Sequence, residues 1–414
     1  MEYVNRLLEK KLASYWESFP CVLVAGARQV GKSTLVEQLY GNTCKIFVFD
    51  PVQDLYAVKD DPDLFLRNNP PPLILDEIQY VPELVPALKR YIDRNRRPGM
   101  FLITGSQQWE VMRHLSESLA GRAAFLELPG FSLQEKGCVT SCWLNRWMEA
   151  AGQGADAAFE SVKGGESANI SATEHIWKGS FPEVRNLKPD VVSGWMQGYV
   201  NTYLQRDVRL LTKVRDETQF ARFLSLCASL TGQECNYSQI GRDIHISTPT
   251  AIQWLSILRA TYQWLEVPAF ASNHIKRLSE KPKGYFCDTG LAAYLMRISS
   301  PEAVQGHPAF GALFETMVVQ ECYKQVQQQS LTPVFHHYRL HSGAEIDLIL
   351  EKDGVFFPVE IKAGSTPGGR SLKNFDKFRD TIPNAAQAGL IIYAGREVLR
   401  LNDYCTAVPF DLNP

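Results

Sequence analysis

Eight residues, Gly26-Ala27-Arg28-Gln29-Val30-Gly31-Lys32-Ser33, constrain this chain more than any others. They match G-x-x-x-x-G-K-[ST] and stand between an apolar run, CVLVA (21–25), and STLVEQLY, a stretch of helical composition that Gly41 can close. The order is strand, glycine loop, helix, which is the context the motif needs. Glycines let successive backbone N–H groups turn toward one centre. The N-terminus of the following helix adds the positive end of its dipole. Such a centre suits a phosphate chain. Residues Gly26 to Thr34 are therefore read as an ATP-binding run. Lys32 is placed for the β- and γ-phosphates, and the Ser33 hydroxyl for magnesium.

A second run, LILDEIQ (73–79), supplies what a phosphate loop lacks by itself. An apolar strand ending in Asp76 offers a carboxylate for magnesium. Glu77 then stands where it could polarise an attacking water. ITGSQQ (103–108) ends the next apolar run in hydroxyl and amide groups, so Thr104 or Ser106 is a candidate to contact the γ-phosphate or orient water. Arg122, in SLAGRAAF, lies just before the last apolar run of this region. An arginine there is a candidate to reach a neighbouring subunit's γ-phosphate or the chain's own.

The runs at 21–25, 45–49, 72–76, 100–104 and 123–128 are short and almost wholly apolar, and helical stretches separate them. Apolar strands alternating with helices imply a parallel sheet covered on both faces, an α/β fold with right-handed crossovers. Length gives a prior of two or three domains. The reading is an ATPase core over 1–149 and a Gly/Ala/Ser-rich loop or linker over 150–172. A mostly helical region follows over 173–300, and a mixed helix and strand domain over 301–414. A net charge of -2 gives no global attraction for nucleic acid, so any such contact needs a local patch. The nine scattered cysteines lack metal-site spacing and read as reduced thiols, and no apolar run reaches membrane-spanning length. A cytoplasmic location is expected.

GARQVGKSTL, LILDEIQ, ITGS and LAGR together resemble a bacterial and archaeal group of AAA-type ATPases whose core precedes a C-terminal domain of unknown function. GSFPEV (179–184), YVNTYLQRDV (199–208) and KPKGYFCDTGLAAYL (281–295) extend the resemblance over most of the chain. Within YVNTYLQRDV, Tyr199, Tyr203 and Arg206 fall near one helical face, and Arg206 and Asp207 read as packing and salt-bridge residues.

Residues 237–270 read as helix, turn, helix and strand, with Ile240, Ile244, Ile252, Leu255 and Leu258 toward a small core. Ser247 or Thr248 can cap the second helix, with Pro249 in its first turn. A hairpin wing bearing Lys276, Arg277, Lys281 and Lys283 would complete a winged helix, as the resemblance implies. The only base-reading candidates near the helix start are Thr248, Thr250 and Gln253, so DNA binding and a protein-binding or scaffold role both remain open.

HSGAEIDLILEKDGVFFPVEIKAG (341–364) carries Asp347 on one strand, a turn at Asp353-Gly354, and Glu360 with Lys362 on the next. Glu360 and Lys362 are two apart and share a face. Glu315, in GALFETMVVQECY, is a further acid that could join them. The D…ExK arrangement resembles the PD-(D/E)xK nuclease fold, which implies a second magnesium site on these four residues. The expectation is an ATP- and magnesium-dependent hydrolase, able to oligomerise, coupling nucleotide state to a module that acts on DNA. The rival expectation is a nucleotide-dependent switch or scaffold that binds protein partners and cuts nothing.

Overall fold

The computed structural model describes residues 3–50, 55–105, 119–203, 217–270, 281–339, 345–382 and 384–414. Ser106, Arg206, Asp207, Lys276 and Arg277 lie outside them. The described residues divide into two compact units. One takes in Met1–Gly130, Val200–Val214 and Ser256–Gln263; the other Phe131–Tyr199, Arg215–Leu255 and Trp264–Pro414.

The first unit is built on β1 (Cys21–Ala25), β2 (Lys45–Val48), β3 (Leu73–Asp76), β4 (Phe101–Gly105) and β5 (Ala123–Glu127). Their order is β2-β3-β4-β1-β5 and every pairing is parallel. β1, β3 and β4 are buried at every position, as unbroken apolar runs require in a sheet covered on both faces. The edge strand β2 is not, and Val48 is half exposed. Helix Leu84–Asn95 buries Leu84, Val85, Leu88 and Ile92, an apolar stripe at helical spacing. Because the strands are parallel and in register (Val24↔Thr104, Ala25↔Glu127), their C-terminal ends share one edge. β4 lies between β1 and β3, so the loop after β1 and the ends of β3 and β4 meet there.

The second unit contains the remaining strands. They are β6 (Glu166–Ser167), β7 (Gln233–Glu234), β8 (Trp264–Val267), β9 (Lys283–Phe286), β10 (Val334–Arg339), β11 (Glu345–Lys352), β12 (Val355–Lys362), β13 (Gly389–Tyr393), β14 (Leu399–Arg400), β15 (Cys405–Pro409) and β16 (Leu412–Asn413). Six form a mixed sheet, β10-β11-β12-β13-β15-β14; β7-β9-β8 form an antiparallel sheet, and β16 pairs with β6. β11 and β12 close through Asp353-Gly354, with φ of 52° and 75°. Two successive positive φ values make the hairpin turn whose twist suits the strands, and Asp-Gly favours it.

Helices Tyr237–Asp243 and Thr248–Ala260 follow one another through a short turn, capped by Asn236 (Gln239 N–H donating at 3.2 Å) and Ser247 (Thr250 N–H donating at 3.2 Å). Ile240, Leu255 and Leu258 are buried as expected, but Ile252 is 43% exposed. The buried stripe of the second helix runs through Ala251, Trp254, Leu255 and Leu258, and Ile252 lies one position off it. Trp254 meets Phe220 and Phe223 edge-on, at 5.1 and 5.4 Å between ring centroids.

Two sequence boundaries differ from the structure. The run 150–172, expected as a loop or linker, holds helix Ala155–Val162, which buries Ala158 and Val162; its alanines favour helix more than its glycines oppose it. Residues 131–149, expected in the ATPase core, pack in the second unit. There Leu133 N–H donates to Glu321 at 3.1 Å, and Trp143 and Leu144 N–H donate to Gln325 at 3.3 and 3.2 Å. Among the described residues no helix is long and apolar enough to cross a membrane.

Candidate functional site

The loop after β1 turns through Gly26 (φ 153°), Gln29 (φ 62°) and Gly31 (φ 91°) before helix Lys32–Tyr40 begins. Gly26 cannot carry a side chain, since a Cβ there would stand 2.3 Å from the Leu128 carbonyl oxygen. Ala27 and Val30 are buried, Arg28 is half-buried beside the Tyr80 hydroxyl at 3.2 Å, and Thr34 is exposed. Lys32 is buried and donates to the carbonyls of Gly26 and Ala27 at 3.1 and 2.8 Å, so its ammonium lies inside the loop. Arg6, which carries no motif, donates to Val30 O at 2.8 Å and Pro129 O at 2.6 Å and braces the loop from behind.

Asp76 ends β3 and is nearly buried. Its Oδ1 accepts from Ser33 Oγ at 3.0 Å and from Thr104 Oγ1, which comes from the neighbouring β4. Thr104 Oγ1 also accepts the Glu77 N–H at 3.1 Å. Glu77 sits in left-handed backbone (φ 58°, ψ 46°), a conformation costly for a residue with Cβ, and its carboxylate accepts from Gln79. The structure thus brings Ser33, Asp76, Glu77 and Thr104 to one edge of the sheet, at the mouth of the glycine loop. The meeting hydroxyl and carboxylate oxygens of Ser33 and Asp76 are the donor set a magnesium ion takes.

Arg122 is elsewhere. It immediately precedes β5, whose first residue pairs with Cys21, the first of β1. The glycine loop follows the last residue of β1, so a strand length separates the two, about 16 Å at 3.3 Å per residue. Its guanidinium forms a two-pronged pair with Asp93, with Nη2 to Oδ2 at 3.0 Å. A reach to the chain's own γ-phosphate is excluded by this topology.

A second cluster forms in the other unit. The register Leu348↔Val359 sets Asp347 opposite Glu360, and Asp347 Oδ2 accepts the Ile361 N–H at 2.8 Å. Lys362 Nζ lies 2.7 Å from Glu360 Oε1 and 3.9 Å from Asp347 Oδ2, and Ser371 donates to the same Glu360 oxygen at 3.3 Å. Glu315 approaches from helix Phe310–Val326, accepting from the Tyr285 hydroxyl at 2.7 Å. Lys283, read from the sequence as a residue of a hairpin wing, is buried here. Its Nζ lies 3.1 Å from Glu315, 3.1 Å from Glu345 and 3.7 Å from Asp347. Burial opposes that ammonium, but Glu315, Asp347 and Glu345 outweigh it and hold it above the ordinary lysine range. Burial, with the charge of Asp347 second, pushes both the Glu315 and Glu360 carboxyls up to about 7. Among the described residues no three His, Cys, Asp or Glu side chains are arranged to hold a metal ion. The membership of Lys283 and Glu345 in this cluster was missed because the partners of Lys283 are far away in sequence. Glu345 alone left a local signal, two residues before Asp347 and on its face of β11.

Comparison with known proteins agrees with the sheet. An AAA domain family model matches residues 18–136, and two models described as domains of unknown function, DUF8612 and DUF4143, match 170–302 and 310–412. Uncharacterized proteins of Mycobacterium tuberculosis and Mycobacterium bovis are 29% identical over 397 residues, which is 95% of this chain and 80% of each relative. Among solved structures, a Walker-type ATPase of Pyrococcus abyssi aligns with a TM-score of 0.40 at 17% identity, over 70% of this chain and 94% of that one. The Thermotoga maritima RuvB Holliday junction branch migration motor aligns with a TM-score of 0.31 at 16% identity, over 67% and 95%. The stretch similar to an AAA domain is the one that holds the five-stranded parallel sheet and the glycine loop after β1.

Proposed function

We propose that the first unit binds ATP with magnesium and hydrolyses it. The observation that supports this best is the junction at Asp76 Oδ1, where Ser33 from the glycine loop and Thr104 from β4 meet the acid that ends β3. In this reading the backbone N–H groups from Gly26 to Thr34 cradle the phosphates. Lys32 leaves the Gly26 and Ala27 carbonyls to meet the β- and γ-oxygens. Ser33 and Asp76 would hold a magnesium ion bound with the nucleotide, which would supply positive charge against the phosphates. Thr104 fixes the Asp76 carboxylate and the Glu77 backbone together, which orients the Glu77 carboxylate to polarise water. Lys32→Ala is expected to lose ATP binding. Glu77→Gln is expected to keep binding while turnover falls about 10²- to 10⁴-fold, the usual worth of a positioned base. Titration with ATP and phosphate release measure the two, and undiminished turnover in Glu77→Gln would take that residue out of the role.

For the second unit the facing of Asp347 by Glu360 and Lys362 supports a nuclease-like module acting on DNA, with the nucleotide state of the first unit controlling it. DNA cleavage in the presence of magnesium or manganese should then vanish in Asp347→Ala and Lys362→Ala while ATP turnover persists. Absence of cleavage in the wild type under ATP and either metal would favour the nucleotide-dependent switch or scaffold for protein partners.

A further inference from the structure

The D…ExK pattern leads one to expect a divalent cation among Glu315, Asp347 and Glu360, and the residues present do not fit one. A cation is already there. Lys283 Nζ stands 3.1 Å from Glu315 Oε1, 3.1 Å from Glu345 Oε1 and 3.7 Å from Asp347 Oδ1. An ammonium has three N–H donors, and this one faces three carboxylates. We propose that Lys283 is the resident cation of this cluster, and that a divalent ion binds there only once the ammonium is removed. The inference goes beyond the nuclease-like reading of the second unit and bears against its metal dependence. Where it holds, the wild-type cluster takes no divalent ion and the switch or scaffold reading of that unit gains. It is independent of the ATPase reading.

Three observations carry it. First, Glu315 Oε1 and Asp347 Oδ1 both lie against Lys283 Nζ. A metal at 2.0–2.6 Å from the same oxygens would have to share the pocket with an ammonium of like charge. Second, Lys283 is held by its backbone. It is the first residue of β9, the middle strand of its sheet, and pairs with Glu234 of β7 on one side and Val267 of β8 on the other. Its side chain is 6% exposed. Third, the cluster has an unmet demand for positive charge. Four acids, Glu315, Glu345, Asp347 and Glu360, gather around Lys283 and Lys362, and Glu360 Oε2 is buried without a hydrogen-bond partner. Taking away Lys283 leaves Lys362 as the ammonium beside Glu315, Asp347 and Glu360, and a divalent ion there would favour the ionised form of these acids.

The wing residue thus changes role. The strand that completes the helix-turn-helix segment supplies the counter-ion of the acid cluster, so the chemistry of that cluster is set by the position of β9.

The test is manganese binding to the nucleotide-free full chain, followed by electron paramagnetic resonance of free Mn²⁺. Wild type and Lys283→Arg are expected to show no site that Asp347→Asn abolishes. Lys283→Met is expected to gain one, at least about tenfold tighter than any wild-type site, and Lys283→Met/Asp347→Asn to lose it. The Asp347 dependence separates this ion from one held at Ser33 and Asp76. Lys283→Met/Glu345→Gln, which removes one repelling acid along with the ammonium, serves if the single variant does not fold without metal. A wild-type manganese site abolished by Asp347→Asn would overturn the inference and leave the nuclease-like reading standing, since metal and Lys283 would coexist. A folded Lys283→Met chain with no gained site would overturn it too, since removing the ammonium would then not open the cluster to an ion.

Discussion

Buried ionisable side chains are where single residues weigh most, because their charged forms have lost water. Glu315 and Glu360 solve this by holding protons up to about pH 7, and Lys283 by gathering carboxylates. His175 solves it in the opposite sense. It is buried in helix Ala172–Lys178, and its Nδ1 lies 3.3 Å from Lys136 Nζ, which also donates to Gly179 O. Burial first, then the charges of Lys136 and Lys324, drives its pKa well below the ordinary histidine value. The folded imidazole therefore stays neutral while the unfolded one takes a proton below about 6.5. Stability is full above that pH and falls as pH drops through it, by up to about 1.4 kcal/mol per unit. Urea unfolding of the second unit at pH 7 and pH 5, followed by Trp177 fluorescence, should show this slope flattened in His175→Gln, whose amide oxygen can still accept from Lys136. The raised Glu315 and Glu360 act with the opposite sign, so the difference between variant and wild type is the quantity that decides; equal slopes would refute the assignment. None of this was legible in the sequence, where His175 is one histidine in an ordinary amphipathic stretch. The glycine loop, Asp76 and Glu77 were legible because their chemistry is written in consecutive residues.

At the scale of elements, the five strands of the first unit could be read within a residue or two. An apolar run bounded by glycine or proline and followed by a helical stretch has few other fates in a chain this long. The β11–β12 hairpin could be read for a similar reason, since Asp353-Gly354 fixes the register and the register fixes which acids face each other. What local pattern could not give is where a strand's side chains end up when the partner is distant. β9 looked like a basic wing, yet Lys283 and Tyr285 point to Glu315. Gly284, between them, shows how tightly this strand is seated. A Cβ there would stand 1.8 Å from Trp264 Cζ2 and 2.8 Å from Cys235 Sγ. Gly284→Ala must displace an indole or the strand itself. A loss of about 3 kcal/mol is expected, the upper end for overpacking a core. Calorimetry of the second unit's transition measures it; a loss below about 0.5 kcal/mol would mean that β9 shifts without cost, and that Lys283 is held less firmly than its distances imply.

At the scale of the whole molecule, the open matter is whether one chain suffices for turnover. The proposed hydrolytic residues converge at the C-terminal edge of the parallel sheet, whereas Arg122 lies at the N-terminal edge, before β5. Distance rules out a role for it on the chain's own nucleotide, so only a second copy could bring its guanidinium to a γ-phosphate. Such a role requires the Arg122–Asp93 pair to open. That pair is open to solvent, with side-chain exposures of 25% and 44%, and exposed pairs contribute little to stability. A charge delivered to the transferring phosphoryl group accelerates hydrolysis about 10³-fold or more, far above the small cost of opening the pair. If copies associate through this edge, ATP turnover per subunit should rise with protein concentration, and Arg122→Ala should hold it at the dilute value with ATP affinity unchanged. Asp93→Ala, which removes the acid partner and leaves the guanidinium its bond to the Ala120 carbonyl, should leave that concentration dependence intact or strengthen it. Turnover independent of concentration, from a chain that sediments as a monomer with ATP bound, would leave Arg122 as a surface residue paired with Asp93.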